Sequence, residues 1–199
     1  SYDRAKHVHR TTPGCVCISK EVDDQGKRTF GILYNPEQLR GPVKNSRVYE
    51  VVLPGTARFF VDLDWYTDPT HDKYDPDFPP SEEAYKTLIE TIVEALRAQG
   101  ATDFAHTVLQ STGENKKYSR HVMFDNVWFK SIAPHMKCFA DDLAASWADS
   151  DNYVLKKASE ERRAIFDQTV YSSMRNWRMP FQSKSGSDRV LLPGNDPPL

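Results

Sequence analysis

The sequence predicts an α+β protein with a mostly antiparallel sheet and two principal helices. Short runs rich in β-branched and aromatic residues alternate with turn residues, as in CVCISKEV, DDQGK and RTFGIL between Gly14 and Leu33, which suits a β-hairpin. Two longer stretches repeat apolar residues at the spacing of one helix face. With 199 residues, the chain is long enough for one buried core or for two small lobes. We expect one compact unit over residues 1–199.

The remaining strands are predicted from short apolar runs. Residues Arg47–Leu53 and Ala57–Trp65 are two such runs, joined by the turn pair Pro54-Gly55. The acidic, proline-rich segment 66–80 is expected to be a loop. Further strands are predicted at His106–Ser111, Tyr118–Asn126, Phe166–Tyr171, Asn176–Phe181 and Arg189–Leu192.

The clearest helix is predicted over Ser81–Gln99, because its apolar residues recur at the i, i+3, i+4, i+7 spacing and Gly100 suits its end. A second helix is expected from about Ser131 to Trp147, with Pro134 in its first turn, where a missing N–H is harmless. The charged segment Ser159–Ile165 is a shorter helix candidate.

The composition is that of a folded domain without a membrane partner. Lys and Arg total 26 against 28 Asp and Glu, so any basic surface must be local. No apolar run approaches the length of about 18 residues that a membrane helix needs. Cys15, Cys17 and Cys138 are too few for a four-ligand zinc site. We therefore predict no zinc site, and reduced thiols in an intracellular protein.

The stretch RFFVDLDWY, Arg58–Tyr66, places two aspartates in an apolar strand. Side chains alternate along a strand, so Asp62 and Asp64 share a face at a separation of about 7 Å. Such a like-charge pair costs free energy unless a cation lies between them, and carboxylates at this spacing suit Mg²⁺ or Mn²⁺. The alternative is a solvent-facing strand whose aspartates pair with nearby Lys or Arg.

The stretch KKYSRHVMF predicts a row of phosphate-binding groups. Lys117, Ser119 and His121 share one strand face and can bind phosphate oxygens through charge and donated hydrogen bonds. An exposed edge strand with an isolated histidine explains the same pattern.

The stretch FDQTVYSSMRNWRMPFQSK adds a third carboxylate and further cations. Asp167 could join the first two aspartates, Asn176 and Arg178 share a strand face, and Lys184 follows a turn. Three acids for metal and several cations for a triphosphate are what two-metal phosphoryl transfer requires.

Taken in order, these three stretches resemble the archaeo-eukaryotic primase superfamily, and within it the PrimPol-type primase-polymerases. The matching blocks are RFFVDLD, KYSRHVMF and FDQTVYSSMRNWRMPFQSK; with YEV ahead of the first, they span Tyr49–Lys184. The resemblance implies the primase fold, which is an RRM-like, mostly antiparallel sheet with packed helices plus a smaller α/β lobe, and an active site in the cleft. From the C-terminal LLPGNDPPL, which is typical of a loop, we expect the chain to be a domain excised from a longer polypeptide.

The resemblance also assigns roles to residues. It implies that Asp62, Asp64 and Asp167 are catalytic and bind the metal ions. The residues implied to bind the nucleotide are Lys117, Ser119, His121, Asn176, Arg178, Lys184, Tyr49 near the sugar, and Arg28. For Arg28, a surface arginine beside a turn is an equally good interpretation.

The implied function is a DNA primase or DNA-directed polymerase. Such a domain adds nucleotides from dNTP or NTP to a 3′-hydroxyl on a single-stranded DNA template, at intracellular sites of DNA replication, with a possible helicase domain or partner outside this chain. Lys116, Arg120, Trp128 and Arg189 are candidate template contacts, or else ordinary surface.

Two departures from the family qualify this expectation. Asp64 stands where relatives often carry Glu, and no Cys/His cluster supplies a zinc module for primer initiation. Primer extension is therefore better supported than independent initiation. Two rival functions stay open: a metal-dependent nuclease, which needs the carboxylates but not the triphosphate-binding set, and a non-catalytic nucleic-acid-binding module.

Overall fold

A computed structural model describes residues 1–23, 25–35, 47–71, 74, 82–111, 117–147, 154–156, 162–183, 187 and 189–194. It confirms the α+β class, with two antiparallel sheets and a few helices. The described chain divides into two compact units. The first comprises Ser1–Pro54, Ser111–Gly113 and Ser173–Pro193, and the second comprises Gly55–Gln110, Glu114–Ser172 and Gly194–Leu199.

The first unit is a four-stranded antiparallel sheet with one helix. Its elements are α1 (Tyr2–Thr11), β1 (Val16–Glu21), β2 (Arg28–Leu33), β3 (Val48–Val52) and β9 (Arg175–Arg178), in the strand order β2-β1-β3-β9. The predicted hairpin and the strand after it are confirmed. Helix α1, which the sequence analysis missed, packs Ala5 against Cys17 and Val51 in a small core.

The second unit contains the strands β4 (Ala57–Tyr66), β5 (His106–Ser111) and β6 (Lys117–Phe129), and the helices α2 (Glu82–Ala98) and α3 (Lys137–Ser146). Strand β6 lies between β5 and β4 and pairs antiparallel with β4. The predicted face of α2 is buried, as expected for a helix with one apolar stripe. Its predicted N-cap, Ser81, lies outside the described residues.

Strand β4 follows the predicted alternation. Phe59, Val61, Leu63 and Trp65 are almost completely buried. The ring of Phe59 lies 5.5 Å from that of Phe124, on the neighbouring strand. This apolar face anchors the strand in the core, and the opposite face carries Asp62 and Asp64.

Two predictions for the helices need correction. The regular helix α3 begins at Lys137, because Ala133 precedes Pro134 and is extended (φ −112°, ψ 124°), within a wider π-type turn at Ile132–Met136. The helix predicted over Ser159–Ile165 is wrong, since Arg162–Ala164 forms β8 and pairs antiparallel with β7 (Val154–Lys156). Strand pairing outweighs local helix propensity there.

The C-terminal third also differs from the predicted strands. Phe166 forms a single bridge with Leu63, and the chain then turns through a short 3₁₀ helix at Gln168–Val170, so a strand over Phe166–Tyr171 is wrong. Strand β9 ends at Arg178, and β10 is limited to Leu191–Pro193. Among the described residues, no helix is both long and apolar enough to cross a membrane.

Candidate active site

The backbone of the second unit brings Asp167 beside the Asp62/Asp64 strand. Leu63 of β4 pairs with Phe166, and the N–H of Asp167 donates a hydrogen bond to the carbonyl oxygen of Asp62 at 2.9 Å. The three predicted acidic residues therefore lie on adjacent backbone, although the third is distant from the others in sequence.

Pairing between β4 and β6 sets a polar row opposite the acids. In this register His121 lies opposite Asp62, and Ser119 lies opposite Asp64. The Nζ of Lys117 is 2.7 Å from Oδ2 of Asp64, and Nε2 of His121 is 3.5 Å from Oδ1 of Asp62. The two sequence patterns thus form one arrangement, with acids on one strand and basic groups on the next.

Lys117 and Asp64 form a partly buried ion pair. Their side chains are 24% and 34% exposed. Desolvation by burial acts to raise the pKa of Asp64, but the charge and hydrogen bond of Lys117, together with smaller contributions from Ser119 and His121, lower that pKa below its usual value. Desolvation likewise acts to lower the pKa of Lys117, and Asp64 reverses this and raises it. Both groups are therefore charged at neutral pH.

Asp167 begins the short 3₁₀ helix that follows it. Its Oδ1 accepts hydrogen bonds from the backbone N–H of Thr169 at 2.8 Å and from the Thr169 hydroxyl at 2.6 Å. This is the geometry of an N-cap, in which a carboxylate satisfies a donor that the helix leaves unpaired. Thr169 thus orients the carboxylate, and its position two residues after an aspartate is the sequence signal for that role.

Tyr171 holds the same turn against β4. Its side chain is completely buried, its hydroxyl donates to the carbonyl oxygen of Phe60 at 2.7 Å, and its ring lies 5.5 Å from that of Phe60. Burial, and then the nearby charges of Asp62 and Asp167, raise the pKa of Tyr171 well above its usual value. The hydroxyl therefore remains a neutral donor. No spacing or periodicity in the sequence predicted a role for this residue.

The acidic residues fit a hard divalent cation in the type of donor they offer. Oδ1 of Asp64 is buried and has no hydrogen-bond partner among the described residues, which leaves one oxygen for a ligand. The other oxygen faces Lys117, and Asp167 is held by Thr169. In the described part of the chain, no three or more His, Cys, Asp or Glu residues are grouped so that they could hold a metal ion.

The first unit gathers four of the predicted nucleotide-binding residues on one sheet. Tyr49 of β3 pairs directly with Arg178 of β9, and Asn176 lies two residues before Arg178 on the same strand. The guanidinium of Arg28 stacks over the Tyr49 ring at 4.4 Å. Arg28, Tyr49, Asn176 and Arg178 thus lie close together on β2, β3 and β9.

Polar partners fix the orientation of this group. Nη2 of Arg28 lies 2.6 Å from Oε1 of Glu21, and Nη1 donates to Oγ of Ser19 at 3.3 Å. The hydroxyl of Ser19, itself fully buried, donates to Oδ1 of Asn176 at 2.6 Å. Ser19 and Glu21 are functional candidates that sequence analysis missed; they alternate along β1, which is the one signal that could have found them.

The outcome differs for the remaining predicted residues. Lys184 and Lys116 are outside the described residues. Arg120 is corrected as a template contact, because it is only 3% exposed and pairs with Glu82 at 2.6 Å. Trp128, in contrast, is 56% exposed and remains available.

Comparison with known proteins assigns no activity to the chain. No model of a known protein family matches it. A relative in Ostreid herpesvirus 1 (isolate France), the uncharacterized protein ORF49, is 26% identical over 161 residues. That alignment covers 75% of this chain and 14% of the viral protein, so the chain spans a small part of the length of the relative it matches.

Proposed function

We propose that this chain is the catalytic domain of a primase-polymerase of the archaeo-eukaryotic primase superfamily. It would add nucleotides from dNTP or NTP to a 3′-hydroxyl on a single-stranded DNA template. The observation that supports this most is the hydrogen bond from the Asp167 N–H to the Asp62 carbonyl oxygen, because it joins the first and third sequence blocks. The β4–β6 register then joins the second block to the first.

The chain's own residues have two tasks in this proposal. Asp62, Asp64 and Asp167 would hold Mg²⁺ or Mn²⁺, which when bound lowers the pKa of the attacking hydroxyl and offsets charge on the transferred phosphoryl group. Lys117, Ser119 and His121 would donate to phosphate oxygens of the incoming nucleotide and keep it oriented.

For the first unit, the proposal assigns nucleotide binding to the polar group on β2, β3 and β9. Arg28 and Arg178 supply charge for phosphates, Tyr49 offers an aromatic surface near the sugar, and Asn176 offers an amide. Lys184 belongs to the same set through its sequence motif. The stacking of Arg28 on Tyr49 and the Ser19–Asn176 hydrogen bond support this assignment, because they hold the side chains in fixed orientations before any ligand binds.

The specific primase fold is also part of this proposal. An RRM-like sheet with a smaller α/β lobe is the primase arrangement, and the antiparallel sheets agree with it at the level of fold class. The location at sites of DNA replication, and a helicase domain or partner outside this chain, also follow from the resemblance alone.

A direct assay tests the proposal. The purified domain is incubated with Mn²⁺ or Mg²⁺, a single-stranded template and labelled dNTPs or NTPs, with and without a primer. We expect metal-dependent extension of the primer, lost in Asp62→Asn and retained in Asp103→Asn, which changes an exposed acid of the same unit. Cleavage of the DNA without nucleotide use would instead indicate a nuclease. Binding of DNA with neither reaction would indicate a non-catalytic module.

A further inference from the structure

An irregularity in the β4–β6 ladder separates the acidic end of the sheet from its other end. Phe60 pairs with Met123, whereas Arg58 pairs with Trp128, so two steps along β4 correspond to five along β6. Irregularities of this kind interrupt strand pairing and redirect side chains, and they are common beside functional sites. Here the ladder resumes with Arg58 and Trp128 directly opposite each other.

The side chain of Trp128 is unusually exposed for a tryptophan, because tryptophan side chains are highly buried on average. Its side chain is 56% exposed, and in the described part of the second unit it is the only large apolar side chain with such exposure. The guanidinium of the exposed residue Arg58 lies over its ring, 5.0 Å from the ring centre. Lys130, two residues further on, is also exposed. We call Arg58, Trp128 and Lys130 the Trp128 platform.

The Trp128 platform is related to the acidic residues through β4. Arg58 lies on one side of the ladder irregularity, and Asp62 and Asp64 lie on the other side of it, on the same strand. Arg58 lies four positions before Asp62, which corresponds to about 13 Å along the strand. Between them, Tyr171 covers Phe60. The Trp128 platform is thus a separate site at the other end of the β4–β6 pair.

We propose that the Trp128 platform binds one base and the adjoining phosphates of a single-stranded nucleic acid. An exposed indole offers a stacking surface that accepts any base, and two neighbouring cations match the charge of the phosphate backbone. This charge complementarity favours a nucleic acid over an apolar protein partner. The inference rests on the proposed function in one respect, because it identifies the bound strand with the template.

The test measures the affinity of the domain for a labelled oligo(dT) of about 20 nucleotides by fluorescence anisotropy. Trp128→Ala is expected to weaken binding about 5- to 100-fold, and Trp128→Phe to retain most of the affinity, since base stacking is the interaction that is lost. Arg58→Gln should weaken binding less and reduce its dependence on salt. The matched controls are Arg97→Gln, which removes an exposed arginine stacked on Phe104 at 5.0 Å, and Tyr34→Ala, which removes a ring that is 68% exposed.

Wild-type affinity in a folded Trp128→Ala variant would overturn the inference, as would equal losses in Trp128→Ala and Arg97→Gln. Quenching of tryptophan fluorescence by unlabelled oligo(dT) gives a second measurement. Quenching of the same size in Trp128→Phe would also overturn the inference. Failure of the proposed function can be distinguished from failure of this inference. If no nucleotide is incorporated but Trp128→Ala still loses DNA affinity, the site stands and the enzyme does not.

Discussion

Asp167 donates its backbone N–H to the carbonyl oxygen of Asp62 at 2.9 Å, and this bond fixes the third acidic motif to the first through main-chain atoms. The neighbouring bridge between Leu63 and Phe166 continues the same pairing. Because the attachment uses no carboxylate, a change of side chain at either aspartate can alter charge without detaching the segment.

The first prediction uses this property at Asp167. Asp167→Asn is expected to abolish metal-dependent nucleotide incorporation while leaving the free energy of unfolding nearly unchanged, because an amide oxygen can still cap Thr169. Asp167→Ala removes the cap as well and should cost about 1 kcal/mol of stability. Urea denaturation and the incorporation assay measure the two effects. Full activity in Asp167→Asn would remove this residue from the catalytic set.

The second prediction concerns Tyr171 as a positioning residue. Tyr171→Phe deletes the buried hydrogen bond to the Phe60 carbonyl and should lower the free energy of unfolding by about 1–2 kcal/mol. It should also weaken Mn²⁺ binding, because the turn that carries Asp167 is held less firmly. Titration calorimetry measures the metal affinity, and Tyr34→Phe, at an exposed position, is the control. Unchanged metal affinity in the variant would restrict Tyr171 to a structural role.

The third prediction follows from the burial of Arg120. Its guanidinium lies 4.0 Å from the ring centre of Tyr85 and 4.6 Å from that of Tyr118, and its partner Glu82 is 63% exposed. Glu82→Gln leaves a buried cation without its counter-charge, whereas Arg120→Met leaves a carboxylate that water can solvate. Glu82→Gln is therefore expected to destabilise the protein more than Arg120→Met.

Denaturation curves of the two variants provide the comparison. A larger loss of stability in Arg120→Met than in Glu82→Gln would contradict this expectation. It would indicate that packing of the arginine stem contributes more to stability than the ion pair does. We also expect Arg120→Met to bind oligo(dT) as the wild type does, in contrast to the variants of the Trp128 platform.

Much of the fold could be predicted because the relevant signals are local. Alternation along β4 and β6 identified both faces of each strand, and the apolar stripe identified α2. Helix α1 was not predicted because it is short, has few apolar positions and is followed by the turn residues TPG. Strand β8 was missed because its conformation depends on pairing with β7, which no local pattern records.

The candidate site was predictable in its residues but not in its contacts. The face that Asp62 and Asp64 share follows from spacing alone. In contrast, the bond between Asp167 and Asp62 and the one from Tyr171 to Phe60 are long-range, and sequence periodicity carries no information about them. The register irregularity beside the Arg58–Trp128 pair is equally a property of paired strands.

The fourth prediction is the pH dependence of the Lys117–Asp64 pair. Because the folded pKa of Asp64 is lowered, its contribution to stability is present above the ordinary aspartate pKa of about 3.9 and is lost as pH falls through the lower folded value. Because the pKa of Lys117 is raised, its contribution is present below about 10.4 and is lost as pH rises through the higher folded value.

The wild type and Lys117→Met should therefore differ by a constant free energy of unfolding between about pH 5 and 9. The difference should shrink on the acid side and on the alkaline side of that range. It should not exceed about 1 kcal/mol, because solvent screens a pair that is partly exposed. A difference that changes between about pH 6 and 8 would mean that some other group titrates with the pair.

The fifth prediction concerns competition between Lys117 and the metal ion. With its Nζ 2.7 Å from Oδ2 of Asp64, Lys117 occupies space that a cation bound to that oxygen would need. Lys117→Met should therefore bind Mn²⁺ about 3- to 10-fold more tightly in the absence of nucleotide, and bind dNTP more weakly because a phosphate contact is lost. Calorimetry of each ligand alone separates these effects, with Lys86→Met, an exposed lysine of α2, as the control. Weaker Mn²⁺ binding in a folded Lys117→Met variant would show that the lysine supports the metal site and does not compete with the ion.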